Sequence, residues 1–136
     1  ILLSKIKNNF TPTQSLKIID MCCAPGGKTA QLLDNDLVIE CIEKNKTRSK
    51  IFKKNMARLN FNPNLININA EDFNPKYKAD VILIDAPCSG TGTIRKNPDI
   101  FIRKAPDNLV NFISIQNKIL DIMFNFCGFY CFRIFL

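Results

Sequence analysis

A chain of 136 residues with 46% hydrophobic content is long enough to bury one modest core, too short for two domains and too apolar for a disordered protein. Its formal charge of +7 comes with no histidine, which removes the commonest general base and leaves carboxylate, thiol or lysine for any chemistry. Six cysteines, at 22, 23, 41, 88, 127 and 131, follow no framework spacing and include no Cys-x-x-Cys pair; this argues against a disulfide scaffold or a structural zinc site and for reduced thiols in a cytoplasmic protein.

In chain order, 16–21 (Leu-Lys-Ile-Ile-Asp-Met) is expected as a first strand, followed by a Pro-Gly-Gly loop and a short helix near 28–33. Residues 37–42 read as a second strand. A helix over about 46–60 would turn Phe52, Met56 and Leu59 toward the sheet and its basic residues outward. The third and fourth strands are expected at 65–68 and 80–84. A Pro-rich loop over 86–106 then leads to an amphipathic helix over about 107–126. The apolar tail 124–136 is too short to span a membrane and reads as a buried strand, which would be aggregation-prone if unpaired. Alternating strands and helices with short connections imply an α/β fold with a mainly parallel sheet, all in one domain. The chain starts without Met and ends in the apolar tail, so both ends look cut.

Lys44, Lys46, Arg48, Lys50, Lys53, Lys54 and Arg58 crowd one segment. Such a run is either a solvated helix face or a surface that meets a phosphate backbone.

Two loops carry the candidate chemistry. The first, Asp20 to Thr29 (Asp-Met-Cys-Cys-Ala-Pro-Gly-Gly-Lys-Thr), stands where a βαβ fold binds nucleotide-like ligands. Gly27-Lys28-Thr29 matches the end of a P-loop, but Cys22 replaces its first glycine and Pro25 removes an amide from the cradle. No Gly-x-Gly-x-x-Gly dinucleotide fingerprint is present, and a simple tight turn is a further reading. A sulfonium nucleoside, S-adenosylmethionine, fits best, because it has no phosphates to cradle. Glu43, at the end of the second strand, is placed to accept both ribose hydroxyls. The second loop follows the apolar run Val81 to Ile84 and reads Asp85-Ala86-Pro87-Cys88-Ser89-Gly90-Thr91-Gly92, presenting a thiol at a strand end.

With both loops assembled, the sequence resembles the Nop/Sun (Fmu-type) family of S-adenosylmethionine-dependent RNA cytosine-C5 methyltransferases, nearest the bacterial 16S ribosomal RNA enzymes. Arg95-Lys96-Asn97-Pro98-Asp99 and Gln116-x-x-Ile119-Leu120 continue the likeness, which covers about residues 16–126. The resemblance implies the Rossmann-like sheet of a class I methyltransferase, of which residues 1–136 would form the amino-terminal part. It implies S-adenosylmethionine wrapped by Cys22, Cys23, Ala24, Pro25, Gly26, Gly27 and Lys28, with its ribose on Glu43 and its adenine side near Asn69, where Glu71 and Asp72 follow closely. Asp85 would lie beside the methyl donor and the target base.

The chemistry needs thiols because C5 of cytosine attacks a methyl group only after a thiolate has added to C6. In the family, the Pro-Cys cysteine, here Cys88, assists product release, and the nucleophile belongs to a later Thr-Cys motif. This sequence instead offers Cys127-Gly128-Phe129-Tyr130-Cys131-Phe132, with Cys131 as a core or exposed thiol. A third option makes Cys88 the nucleophile, as in DNA cytosine-C5 methyltransferases, but its Ser-Gly-Thr-Gly continuation favours the RNA family.

The expectation is therefore a truncated catalytic domain acting on ribosomal RNA, or an inactive remnant that binds S-adenosylmethionine or RNA. It would need no metal and no membrane, and a complementing fragment is a possible partner. Without strands after the fourth, a bare sheet edge and a partly uncovered last helix are also expected.

Overall fold

The structure, a computed structural model, describes residues 16–35, 37–85 and 107–133. Its strands are apolar on both sides because helices cover both faces of the sheet. Strand β1 (Lys17–Asp20) leads to helix α1 (Gly27–Leu33), then β2 (Val38–Ile42), helix α2 (Lys46–Arg58) and the short β3 (Asn64–Ile66). A single 3-10 turn at Ala70–Asp72 precedes β4 (Ala79–Ile84), and helix α3 (Asp107–Phe126) runs directly into β5 (Cys127–Arg133). Every pairing is parallel and the strand order is β3-β2-β1-β4-β5. The expected Rossmann-like α/β architecture is present.

Alternation along the strands divides the core in two. Ile18, Ile39, Cys41, Val81 and Leu83 pack with Leu32 of α1 and with Phe52 and Met56 of α2. Ile19, Met21, Ile42, Ile82 and Ile84 face the other way, against Ala70, Phe73 and the α3 residues Ile119 and Met123. Among the described residues no helix is long and apolar enough to cross a membrane.

Helix α2 is fixed at both ends. The Asn45 side chain accepts hydrogen bonds from the backbone N–H groups of Thr47 (2.9 Å) and Arg48 (3.0 Å), an N-cap. At the other end Asn60 has φ 60. The Asn60 N–H donates to Ala57 O (3.1 Å) and the Phe61 N–H to Met56 O (2.9 Å), the paired bonds of a Schellman motif. The helix therefore stops at Arg58. Leu59, expected on the sheet-facing side, is carried out of it and is 39% exposed, while Ser49 joins Phe52 and Met56 on the buried face.

Two further expectations are corrected. Strand β3 ends at Ile66 rather than 68, because the Asn67 side-chain amide turns to the Glu43 carbonyl (2.8 Å) and Ser49 Oγ. The β4 edge is not bare: β5 pairs with it from Ala79↔Cys127 to Ile84↔Arg133, with an irregularity between Ala79 and Val81. Cys131 falls opposite Ile82 in that ladder. Helix α3 does leave Ile113 and Phe124 exposed, at 57% and 76%.

Candidate cofactor-binding site

The strand order reverses beside β1. The chain steps outward through β2 and β3, then returns to lay β4 on the other side of β1. At such a switch point the loops leaving neighbouring strands diverge, and a crevice opens at their carboxyl ends. The loop after β1 and the residue after β4, Asp85, border that crevice. A cleft of ≈ 330 Å³ there is lined by Asp20, Cys22 to Lys28, Gln31 and Asp85. Cys22 also borders a smaller hollow of ≈ 30 Å³, with Met21, Glu43, Arg48, Glu71 and Ile119 in its wall.

The loop is tied to the sheet and then shaped by α2. Its backbone continues the ladders, with the Met21 N–H donating to Leu83 O (2.9 Å) and the Cys23 N–H to Ile42 O (3.1 Å). The Arg48 guanidinium donates to Ala24 O, and the Asn55 amide donates to Pro25 O (2.9 Å). The Ala24–Pro25 peptide is cis. Gly26 has φ 108, and a Cβ there would lie 2.6 Å from Met56 Cε and 3.0 Å from Phe52 Cδ2. Residues 24, 25 and 26 are thus each met by a side chain of one helix. Gly27 opens α1 with nothing within 4 Å of an added Cβ, so it faces open space.

Three carboxylates stand at strand ends. Asp20 is buried; its Oδ2 accepts from Thr29 Oγ1 (2.7 Å), while Oδ1 is buried with no hydrogen-bond partner. Burial pushes its carboxyl up to about 6, with the Thr29 hydroxyl pulling the other way. Glu43 Oε1 accepts from the Asn45 N–H (2.9 Å). Glu43 Oε2 is buried without a hydrogen-bond partner, and the Arg48 guanidinium lies 3.6 Å away. Asp85 pairs with Lys28 across the cleft, and both side chains are about a third exposed (37% and 33%).

The thiols of the loop are not poised as nucleophiles. Burial pushes Cys22 up to about 12. A hydrogen bond with Cys41, together with burial, pushes Cys23 well above the usual thiol range. Both therefore stay protonated near neutrality.

Of the residues expected from sequence, Cys22 to Lys28 and Asp85 are brought together around the larger cleft, and Glu43 borders the smaller one. The Asn69 amide donates to Asp72 (2.6 Å), and the wall of the hollow is taken by Ala70 and Glu71 beside it. Cys88 lies outside the described residues. Sequence reasoning placed Asp20 and Thr29 in the candidate loop without giving either a contact, and it missed Arg48 and Asn55 as parts of the site. For Asp20 a signal existed, an acid closing an apolar strand directly before the loop. Arg48 was hidden among residues read only for charge, and Asn55 among the residues between them. Among the described residues no cluster of three or more His, Cys, Asp or Glu is placed to hold a metal.

An open parallel sheet that reverses order beside β1, with acids at its strand ends around a glycine-turned loop, defines the Rossmann-like class of nucleoside-cofactor proteins. Residues 8–127 match the family described as 16S rRNA methyltransferase RsmB/F, and the chain belongs to it. It is 37% identical over 119 residues to ribosomal RNA small subunit methyltransferase B of Vibrio cholerae, covering 84% of this chain and 27% of that protein. It is 38% identical to the human 28S rRNA (cytosine(4447)-C(5))-methyltransferase, over 82% of this chain and 14% of that one. The solved structure of NSun6 from Pyrococcus horikoshii with SFG superposes with a TM-score of 0.69 at 32% identity, over 83% of this chain and 30% of the other. The chain thus spans about a quarter of the length of the bacterial relative.

Proposed function

We propose that this chain forms the cofactor-binding part of an S-adenosylmethionine-dependent methyltransferase acting on cytosine C5 of ribosomal RNA. The observation that carries this is the family match over 8–127, which includes both candidate loops, to relatives named for ribosomal RNA and for cytosine C5. The archaeal relative was solved with SFG, an S-adenosylmethionine analogue.

The residues present fit that cofactor. Two buried carboxylate oxygens, Asp20 Oδ1 and Glu43 Oε2, make no close hydrogen bond, and both residues line the clefts at the strand ends. The Cys22 backbone N–H acts on the Asp20 carboxylate, and the Arg48 guanidinium stands 3.6 Å from Glu43 Oε2. Buried acceptors of this kind are costly unless a ligand donor meets them. A nucleoside with an amino-acid tail brings such donors: an ammonium for Asp20 and ribose hydroxyls for Glu43. Bound S-adenosylmethionine would supply an electrophilic methyl group on its sulfonium.

This chain's own residues then bind and orient. Lys28 holds the Asp85 carboxylate at the mouth of the cleft. There Asp85 can accept a hydrogen bond from the exocyclic amine of a cytosine. Cys88, three residues further on, would be the thiol that assists release of the methylated base.

Calorimetry with S-adenosylhomocysteine tests the cofactor assignment, with one-to-one binding expected and binding lost in Glu43→Ala. A cooperatively melting chain that does not bind S-adenosylhomocysteine would overturn it. Labelled methyl transfer from S-adenosylmethionine to unmodified ribosomal RNA tests the reaction, with label expected at cytosine C5. Cofactor binding without any transfer would restrict the chain to a cofactor-binding unit of the family.

A further inference from the structure

Seven of the 19 basic residues lie between positions 44 and 58, a stretch that holds no acid; the remaining 12 are balanced by the chain's 12 acids. The entire +7 of the molecule is therefore carried by α2 and the turn before it. At 3.6 residues per turn, Lys50, Lys54 and Arg58 fall on the side of α2 away from Ser49, Phe52 and Met56, and Lys46 and Lys53 fall on the flank beside them. All five are exposed. Arg48 differs, because its guanidinium is turned inward to Ala24 O and Glu43.

The helix does not benefit from this charge. Lys46/Lys50, Lys50/Lys54 and Lys54/Arg58 are like-charged pairs at i,i+4, and Lys46 stands in the first turn, where the helix dipole disfavours a cation. The helix persists through its Asn45 cap and its buried Phe52 and Met56. A partner bringing negative charge along about 18 Å of helix, from Lys46 to Arg58, would relieve the repulsion.

We propose that the outer face of α2 is a docking surface for the sugar-phosphate backbone of RNA, separate from the cofactor cleft. None of the five cations lines either cleft at the strand ends. Two observations select RNA over other polyanions. The apolar face of α2 is spent on the sheet, with Ile51 the large hydrophobic left exposed within the helix, so the helix has nothing to insert into a membrane. Beside the stripe, a groove of ≈ 530 Å³ between α2 and β3 carries Phe61, Leu65, Asn62 and Asn64, with Lys53 among its lining residues. It offers an apolar floor and amide groups to an unstacked base. The choice of ligand rests on the proposed RNA substrate; the location rests on the charge and the groove alone.

Fluorescence anisotropy with a short unstructured RNA, titrated between about 50 and 200 mM salt, tests the surface. Five phosphate contacts at a slope of about −0.7 each predict roughly a 100-fold loss of affinity across that range. In the triple variant Lys50→Gln/Lys53→Gln/Lys54→Gln the slope falls by about 2, while S-adenosylhomocysteine binding holds and the melting temperature does not fall, since all three like-charge pairs are relieved. Lys76→Gln/Lys78→Gln/Lys118→Gln removes the same charge elsewhere and is expected to leave the slope almost unchanged. Equal effects of the two triple variants would overturn the proposal, as would phosphatidylserine vesicles or inorganic polyphosphate binding as tightly as RNA at matched charge. Loss of S-adenosylhomocysteine binding with the RNA slope intact would count against the cofactor assignment and leave this surface standing.

Discussion

Replacing Asp20 by asparagine should make the protein relatively more stable as the pH rises, even though it removes a carboxylate from the proposed cofactor site. The carboxyl of Asp20 is buried, and this pushes it from its ordinary 3.8 up to about 6; the Asp85 charge adds to the rise, and the Thr29 hydroxyl, the Cys22 backbone N–H and Lys28 oppose it. A group whose folded value lies above its unfolded one binds a proton more tightly in the folded chain. Its contribution to stability is complete below about pH 4 and is lost as the pH rises through about 6. A shift of about two units corresponds to roughly 3 kcal/mol. Wild type should therefore lose up to about 3 kcal/mol from this one group between about pH 4 and pH 8, a large part of a typical domain's 5–15 kcal/mol. Asp20→Asn keeps the shape and removes the titration. Its amide nitrogen also leaves a buried donor where an acceptor stood, a cost that does not depend on pH. Urea unfolding of both proteins across that range isolates the term, because titrating groups remote from Asp20 cancel in the difference. The difference should move by about 3 kcal/mol in favour of the variant on going from about pH 4 to pH 8. A flat difference, or one of opposite sign, would refute the account of Asp20 as a carboxylate held against its desolvation. S-adenosylhomocysteine affinity should fall in the same variant, since the unpartnered Oδ1 is gone.

Gly26→Ala combines a positive φ of 108 with a Cβ only 2.6 Å from Met56 Cε and 3.0 Å from Phe52 Cδ2. A left-handed residue costs about 1–2 kcal/mol and overpacking about 1–3, so urea unfolding should show a loss of about 2–5 kcal/mol. Gly27→Ala, where the added methyl meets nothing within 4 Å, serves as the control and should move stability by less than about 1 kcal/mol; similar losses at both positions would show that the loop is not shaped by α2. Arg48→Met removes the donor to Ala24 O and the cation beside Glu43. Calorimetry should then show S-adenosylhomocysteine binding weakened about tenfold, the effect of one hydrogen bond of about 1.4 kcal/mol. Unchanged affinity would remove Arg48 from the site.

Where one local rule dominates, the sequence was sufficient. Val81 to Ile84 could only be a doubly covered strand, and glycines followed by Lys28 and Thr29 could only open a helix. Prediction failed where a side chain outside the pattern decided the outcome. Asn67 withdrew its residue from β3 by donating to the Glu43 carbonyl, and Asn60 ended α2 before Leu59 could face the sheet. Both are single polar residues acting through a hydrogen bond or a left-handed backbone, and hydrophobic periodicity does not register them. The site divides in the same way. The loop after β1 was legible because glycine, proline and acid at a strand end have few other uses. Arg48 was not, because nothing in a run of cations tells which one turns inward, and Asn55 was not, because a lone amide in a helix gives no sign of its partner.

The loop that wraps the larger cleft has little means of holding its own shape. Gly26 caps α1 without any side-chain hydrogen bond, and the first turn of α1 carries no acid. What fixes residues 24, 25 and 26 comes from α2, through Arg48, Asn55 and the Phe52–Met56 wall. Helix α2 therefore does three things at once: its inner face completes the core, its flank shapes the cofactor loop, and its outer face carries the charge. These demands conflict, since the outer cations repel one another along the helix whose rigidity the loop needs. The capping at both ends resolves the conflict. The Asn45 N-cap is worth about 1 kcal/mol, comparable to two or three like-charge pairs at about 0.2–0.5 kcal/mol each. A helix that needed only to cover the sheet could have exchanged some of its lysines for glutamates and gained stability. That α2 carries no acid, and is capped strongly enough to tolerate the repulsion, is what the proposed RNA-docking face requires of it.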